Sequence, residues 1–266
     1  MIPTSIDGTD ITGATIDGTD VQEITVDGDV VFSAGPTGPV PVAYSNLIAW
    51  YPFDSAEYGG SNADDVTAIL GGSGDDTAYD GTVNGATYQS SGGVTDITAG
   101  ANSGAFDFNG DAITLGNPSA FQFDANDSFS ICCWVESDGG DSQFVSIRDI
   151  GVAPWINFQA DPTIKARISA NGFIDADSGI FPGSTYFHAA FTYSSNTISI
   201  YVDGNFEGSD TDSMSGNFTR SSDNWQIGNH LVNNSTSHDG RIDDVRFYDK
   251  ELTNSEVNQI YTNTQP

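Results

Sequence analysis

The sequence is poor in basic residues. Only 7 Lys and Arg stand against 37 Asp and Glu in 266 residues, which gives a formal net charge of -30. Nucleic acids and anionic lipid headgroups are also negative, so this charge argues against electrostatic binding to DNA, RNA or an acidic membrane surface. Long apolar runs are missing as well, and none approaches the ~18 residues of a membrane-spanning helix. We therefore expect neither a nucleic-acid partner nor membrane insertion.

Cysteine is scarce too, because the chain contains only the adjacent pair Cys132 and Cys133. Neighbouring residues of a strand point to opposite faces of the sheet, so we expect no disulfide between them. The pair also lacks the further Cys or His spacing of a zinc site. Both cysteines are therefore predicted to be small buried hydrophobic residues.

Aromatic residues are plentiful, with 16 Phe, 10 Tyr and 4 Trp, which distinguishes the chain from a disordered acidic segment. The acid is mostly Asp, 31 residues against 6 Glu, and there are only 2 Lys. This composition resembles that of halophilic archaeal proteins, whose self-repulsion is screened by molar salt. The alternative is an acidic extracellular protein of ordinary salinity.

The first 34 residues contain a short internal repeat. The segment Ile6–Ile11 recurs as Ile16–Val21 and, altered, as Val26–Val30, so that the Asp-Gly pairs lie ten residues apart. Asp-Gly between β-branched residues is a strong hairpin signal. So short a segment buries little by itself. We expect residues 1–34 to be a β-repeat module for anchoring or oligomerisation, followed by a Pro/Gly linker over 35–44.

From residue 45 to 266 the pattern is one of short, alternating apolar runs separated by Gly, Asn, Asp and Ser. Many strands with almost no helix predict an antiparallel β-sandwich or jelly roll, so the fold class is all-β. The strands are expected at Leu47–Phe53, Ala105–Phe108, Ser128–Val135, Phe144–Arg148, Thr163–Ser169, Tyr186–Tyr193, Thr197–Val202, Asn224–Ile227 and Gly240–Tyr248. One helical turn is expected near the end, capped by Thr253 with Glu256 in its first turn.

Several of these strands resemble a known family. Leu47–Asp54, the Phe-Asp-Phe-Asn-Gly of 106–110, Ser128–Val135, Ile200–Gly204 and Gly240–Tyr248 occur in the order of a laminin-G-like, concanavalin A-like jelly roll. The resemblance covers residues 45–261. It implies a lectin-like sandwich, in which a calcium ion near the sheet rim is common. By this resemblance Asp80, Asp243 and Asp244 are candidate calcium ligands, although Asp243 as a turn cap is the alternative.

Hydrolases of this shape carry Glu-x-Asp-x-x-Glu on one strand. The nearest match is Glu136–Asp141, but its last acid is replaced and its Gly-Gly predicts a loop. The three histidines, His188, His230 and His238, lack the spacing of a metal set. We therefore expect a non-catalytic protein.

Carbohydrate binding requires exposed aromatic rings that stack on sugars. Trp50, Trp134 and Trp225 lie in predicted core strands. Trp155, after Pro154 in a less regular stretch, and Tyr58, in the long Gly/Asn/Asp-rich segment 55–79, are the candidate glycan contacts. Neither identifies a particular sugar.

The N-terminal repeat resembles hairpin segments of virion proteins from tailed viruses, including those that infect halophilic archaea. The first residues lack a basic and an apolar segment, so we expect no secretory signal and release by lysis. The leading hypothesis is a virion surface protein, of capsid or tail, made in the host cytoplasm. Residues 1–34 would join copies into a trimer or pentamer and bind other virion proteins, while the jelly roll would bind a host glycan or glycoprotein. The alternatives are a free carbohydrate-binding protein of a halophilic host and a glycan-cleaving enzyme.

Overall fold

The computed structural model describes residues 42–53, 61–65, 79–94, 104–137, 141–149, 152–229 and 237–266, together with short paired strands between residues 5 and 33. Among these residues no helix reaches the length and apolarity that a membrane span requires.

The N-terminal repeat forms three separate antiparallel pairs of strands. They are β1 (Ser5–Ile6) with β2 (Thr9–Asp10), β3 (Thr15–Ile16) with β4 (Thr19–Asp20), and β5 (Glu23–Val26) with β6 (Asp29–Ser33). Each Asp-Gly falls between two paired strands, which confirms the predicted strand pairing. The role given to residues 1–34 stays a prediction.

The first sheet of the sandwich has eight strands. They are β7 (Leu47–Tyr51), β10 (Thr87–Gln89), β11 (Ala105–Asn109), β13 (Phe129–Ser137), β18 (Phe187–Ser194), β19 (Thr197–Val202), β20 (Asn205–Thr211) and β22 (Asp239–Tyr248). Their order is β10-β11-β22-β13-β18-β19-β20, and β7 pairs with the second half of β22.

The second sheet also has eight strands. They are β8 (Asn62–Ala63), β9 (Gly81–Asn84), β12 (Ala112–Gly116), β14 (Ser142–Asp149), β15 (Val152–Ala160), β16 (Ile164–Ser169), β17 (Phe173–Asp177) and β21 (Trp225–Ile227). Their order is β17-β16-β15-β14-β21-β12-β9-β8. All the pairings within the two sheets are antiparallel. The predicted antiparallel β-sandwich is thereby confirmed.

The main core lies between the two sheets. Alternate residues of each strand enter it, as Ile156, Phe158 and Ala160 do from β15. Aromatic rings pack edge to face across this layer, for example Phe158 against Phe191 with ring centroids 5.1 Å apart. On the second sheet, the residues that alternate with these core positions therefore point to the outer face of the sheet.

The outer face of the first sheet is covered by the helix α1 (Asn254–Asn263). Thr253 and Glu256 form the predicted capping box, and the helix runs over about three turns rather than one. Val257 and Ile260 close a second apolar cluster on this face, which we call the rear cluster: Leu47, Trp50, Cys132, Ala190, Tyr201, Tyr248, Leu252, Val257 and Ile260.

The two cysteines behave as predicted. Both are free and buried, with Cys133 in the main core and Cys132 in the rear cluster on the opposite face of β13. Burial raises the pKa of the Cys132 thiol to about 12, so this thiol stays protonated.

The structure corrects two local expectations. Strand β13 continues through Ser137, so Glu136 belongs to a strand and not to a loop. Strand β15 was not expected, and it places Trp155 in regular structure.

Candidate functional site

The outer face of the second sheet is polar, and we call it the polar face. On β15 the core residues alternate with Trp155, Asn157 and Gln159, which therefore point outward. On the neighbouring β16 the outward side chains are Lys165, Arg167 and Ser169. Unlike the helix-covered face of the first sheet, this face carries amide and charged groups.

Hydrogen bonds connect these side chains across the strands. The Gln159 Oε1 atom accepts from Gln143 Nε2 at 2.7 Å and also from the Asn157 amide. Farther along the face, Arg167 contacts Asp161 at 3.0 Å and Asp175 at 2.9 Å. The network holds its members in fixed orientations, and Gln143, Asn157 and Gln159 are buried within it.

Trp155 lies at one end of the polar face with two neighbours. The Arg148 guanidinium is placed over the indole, 4.7 Å from the ring centroid. Phe173 approaches with its edge, and the two ring centroids are 6.0 Å apart. Ser169 pairs with Trp155 on one side and with Phe173 on the other, so a small side chain separates the two rings and lets them meet. Phe173 is 48% exposed.

A cavity of about 700 Å³ adjoins this group. Ala153 and Pro154, which immediately precede Trp155, line it together with Ala170 and Asn171, which follow Ser169. Most other lining groups are amides and hydroxyls: Gln122, Asn217, Thr219, Ser221 and Ser222. Small-molecule sites typically occupy 300–1,000 Å³, so the volume suits a ligand of about that class. We call the cavity with Arg148, Trp155 and Phe173 the Trp155 site.

Of the two predicted glycan contacts, the structure places Trp155 at this site, partly exposed. Tyr58 lies outside the described residues. Sequence reasoning missed Arg148 and Phe173, because they come from β14 and β17 and meet Trp155 only through the strand order.

The candidate calcium ligands are engaged with protein donors. The two oxygens of Asp243 accept from the Val94 N–H at 2.7 Å and from the Asp244 N–H at 2.8 Å. One Asp244 oxygen accepts from the Trp50 indole N–H at 2.5 Å. Asp80 accepts from the Asp65 N–H at 3.0 Å.

For Asp243 these contacts agree with the alternative of a cap that accepts from backbone amides. In the part of the chain that the structure describes, no group of three or more His, Cys, Asp or Glu side chains is arranged to hold a metal. Calcium at Asp80, Asp243 and Asp244 stays a prediction.

Two carboxyl groups, Asp141 and Asp161, meet beside the polar network. Desolvation and the charge of Asp161 raise the pKa of Asp141. Desolvation acts in the same direction on Asp161, but the Arg167 guanidinium outweighs it and lowers the pKa of that carboxyl. The two groups share a hydrogen bond, whereas the carboxyl pair of a retaining glycosidase stands about 5–5.5 Å apart around the sugar. Glu136 lies on the other sheet, 3.7 Å from Arg241.

Two of the histidines are buried, His238 between the two sheets and His188 on the outer face of the first sheet, beneath α1. Desolvation lowers the pKa of His188 to about 3, and its ring packs against Trp134 with centroids 5.5 Å apart. Desolvation also lowers the pKa of His238 to about 4, and its Nδ1 atom lies 2.5 Å from Ser142 Oγ. Both rings are neutral at pH 7 and packed in the interior, away from the Trp155 site. His230 lies outside the described residues.

The fold and the sequence together identify the family. Residues 107–258 match the model of the laminin-G type described as the concanavalin A-like lectin/glucanases superfamily. The match spans more than half of the chain, so the chain belongs to this family. No curated protein sequence matches it.

Solved structures of similar fold include binding domains and an enzyme. Domain 4 of an extracellular arabinanase from Geobacillus stearothermophilus, solved with arabinotriose, is 20% identical over 81% of this chain and 98% of the domain, with a TM-score of 0.56. The binding domain of paraclostridial mosquitocidal protein 1 is 13% identical over 82% of this chain and 52% of that domain, also with a TM-score of 0.56.

A sialidase from Trypanosoma rangeli is 16% identical over 84% of this chain, with a TM-score of 0.51, but the match spans only 33% of the enzyme. At these identities the likeness shows the shared fold alone.

Proposed function

We propose that this protein is a non-catalytic carbohydrate-binding module that holds its ligand at the Trp155 site. The observation that carries the proposal is the cavity of about 700 Å³ beside the aromatic pair of Trp155, which is partly exposed, and Phe173, which is 48% exposed. Sugars offer hydroxyls to amide and hydroxyl groups, and C–H faces to aromatic rings. The lining of the cavity and the side chains of Trp155 and Phe173 provide both kinds of contact.

The carboxylates support a binding role over a catalytic one. Asp141 and Asp161 lie close enough to shift each other's pKa, and Asp161 is ion-paired with Arg167. Glu136 forms an ion pair with Arg241 on the other sheet. Domain 4 of the arabinanase, which shares the fold, was solved with arabinotriose, and this also favours a saccharide ligand.

A glycan array in 2 M NaCl, followed by calorimetry on the glycans that bind, tests this proposal. Phe173→Ala and Trp155→Ala should each weaken binding by about tenfold or more, since buried aromatic anchors dominate such interfaces. The matched control is Phe206→Ala, because Phe206 is 49% exposed, almost the same as Phe173, but lies on the first sheet. A wild-type chain that binds no glycan, or equal losses in Phe173→Ala and Phe206→Ala, would contradict the proposal.

We further propose that the module is displayed on the surface of a virion and attaches it to a host glycan. Two features support this placement: the N-terminal hairpins and the acidic composition. A free carbohydrate-binding protein of a halophilic host is the alternative.

Virion appendages are usually symmetric, so the full chain should assemble into a trimer or pentamer through residues 1–34. Native mass measurement of the full chain in high salt checks this expectation. A stable monomer would contradict the assembly role of residues 1–34. It would not bear on the Trp155 site, which the glycan array tests separately.

A further inference from the structure

Arg148 differs from the other basic side chains of the protein. The other six each form an ion pair with a carboxylate: Lys165, Arg167, Arg220, Arg241, Arg246 and Lys250. Arg148 forms none with the described residues, although acidic side chains outnumber basic ones by 37 to 7. Among the described residues, Arg148 is therefore the exception to the pairing of basic side chains with carboxylates.

The described residues around Arg148 fix the position of its guanidinium but supply no countercharge. Its guanidinium lies over the Trp155 ring at 4.7 Å, and its Nε atom is buried with no acceptor among the described residues. Desolvation and the nearby Arg167 lower the pKa of Arg148, but an arginine pKa lies so far above 7 that the half-buried guanidinium stays charged. A guanidinium stacked on an aromatic ring keeps the N–H groups at its edge available for a planar anion.

The position of Arg148 also restricts how Trp155 can contact a sugar. One face of the indole is already covered by the guanidinium, so a sugar cannot stack directly there. A ligand on this side of the ring contacts the cation rather than the indole face, and the cavity begins at Ala153 and Pro154, next to Trp155 in the sequence.

We propose that the Trp155 site recognises an acidic saccharide, whose carboxylate or sulfate pairs with Arg148 while its hydroxyls enter the cavity. The inference rests on the proposed carbohydrate-binding function and names the class of ligand. Charge-assisted hydrogen bonds between a guanidinium and an oxyanion are about twice as strong as neutral ones, so Arg148 would set the specificity.

The net charge of the whole molecule gives this recognition an unusual dependence on salt. A charge of -30 repels an acidic glycan at long range. Salt removes this repulsion, because the Debye length falls from roughly 10 Å at 0.1 M to roughly 3 Å at 1 M. The half-buried contact with Arg148 is screened less, so affinity for an acidic glycan should rise as salt is added over this range.

The test is a glycan array with neutral, carboxylated and sulfated arms, probed with the full-length wild type, Arg148→Gln and the matched control Arg241→Gln. Arg241 pairs with Glu136 on the first sheet, so its substitution leaves the Trp155 site untouched. The wild type should bind members of a charged arm, and Arg148→Gln should weaken this binding by about tenfold or more, whereas Arg241→Gln should not. The charged arm that responds decides between carboxylate and sulfate.

The outcomes separate this inference from the function on which it rests. Binding of neutral glycans alone, with equal affinity in the wild type and Arg148→Gln, would overturn the acidic ligand and leave the carbohydrate-binding function standing. Binding to none of the arms would overturn both. Affinity for a charged glycan that falls steadily between about 0.1 and 1 M NaCl would contradict the prediction that salt screens the repulsion by the net charge more than it screens the contact with Arg148. Near-ultraviolet circular dichroism at each salt concentration confirms that the fold is intact.

Discussion

Asp244 and Arg246 form an ion pair in which both side chains are almost completely buried. The Arg246 Nη2 atom lies 2.9 Å from the Asp244 carboxylate, and its guanidinium lies over the Trp50 ring at 4.6 Å. Trp50 in turn donates its indole N–H to Asp244. Asp244 therefore acts as the counter-ion of a buried cation beneath the helix.

We predict that Asp244→Asn lowers the free energy of unfolding by about 3–5 kcal/mol, because it leaves Arg246 buried without a countercharge. Asn tolerates the positive φ of 50° at this position, so the backbone adds little strain. Urea unfolding in 2 M NaCl measures the change. The double variant Asp244→Asn with Arg246→Met removes both charges and should recover much of the loss. A single variant as stable as the wild type would contradict the prediction.

At the residue scale the sequence identified Trp155 but not its partners. An exposed aromatic ring can be suspected from its place in an irregular-looking stretch. Arg148 and Phe173 cannot be assigned in this way, because their proximity to Trp155 depends on which strands lie side by side. The alternative given for Asp243, a cap that accepts from backbone amides, agrees with its contacts to the Val94 and Asp244 N–H groups, whereas the indole N–H that Trp50 donates to Asp244 was not anticipated.

At the scale of elements, alternation and capping predicted most of what the structure shows. Strands with one apolar face, such as β16 and β19, and the capping box at Thr253 follow from local pattern alone. Strand β15 was missed because Pro154 argues against regular pairing. The pairing of β14 with β15 is irregular between Ile147 and Asp149, opposite this part of β15, and such an irregularity accommodates a proline without a backbone donor.

At the scale of the whole molecule, the excess negative charge makes stability depend on salt. The charge of -30 is that of the whole chain, and six of its seven basic side chains are already used in ion pairs. Repulsion among the remaining carboxylates is long-ranged at low salt and is largely screened above about 1 M. The folded state, being the compact one, benefits most from this screening.

We therefore predict that the midpoint of thermal unfolding rises by on the order of 10 °C between about 0.1 and 2 M NaCl, equivalent to a few kcal/mol. Differential scanning calorimetry measures the change. Sucrose of equal osmolality serves as the control, since it strengthens burial without screening charge. A midpoint that rises equally in sucrose and in NaCl would show that repulsion is not the cause.

The rear cluster has a consequence for how the module is presented. Val42, Ala43 and Tyr44, through which the chain enters the sandwich, pack against this cluster on the side of α1. The polar face lies on the opposite side, beyond the second sheet. The domain thus has a back, where the preceding segment arrives, and a front, where the Trp155 site opens. Whatever residues 1–34 hold on to, the chain would reach the domain from behind, leaving its front turned towards an approaching surface.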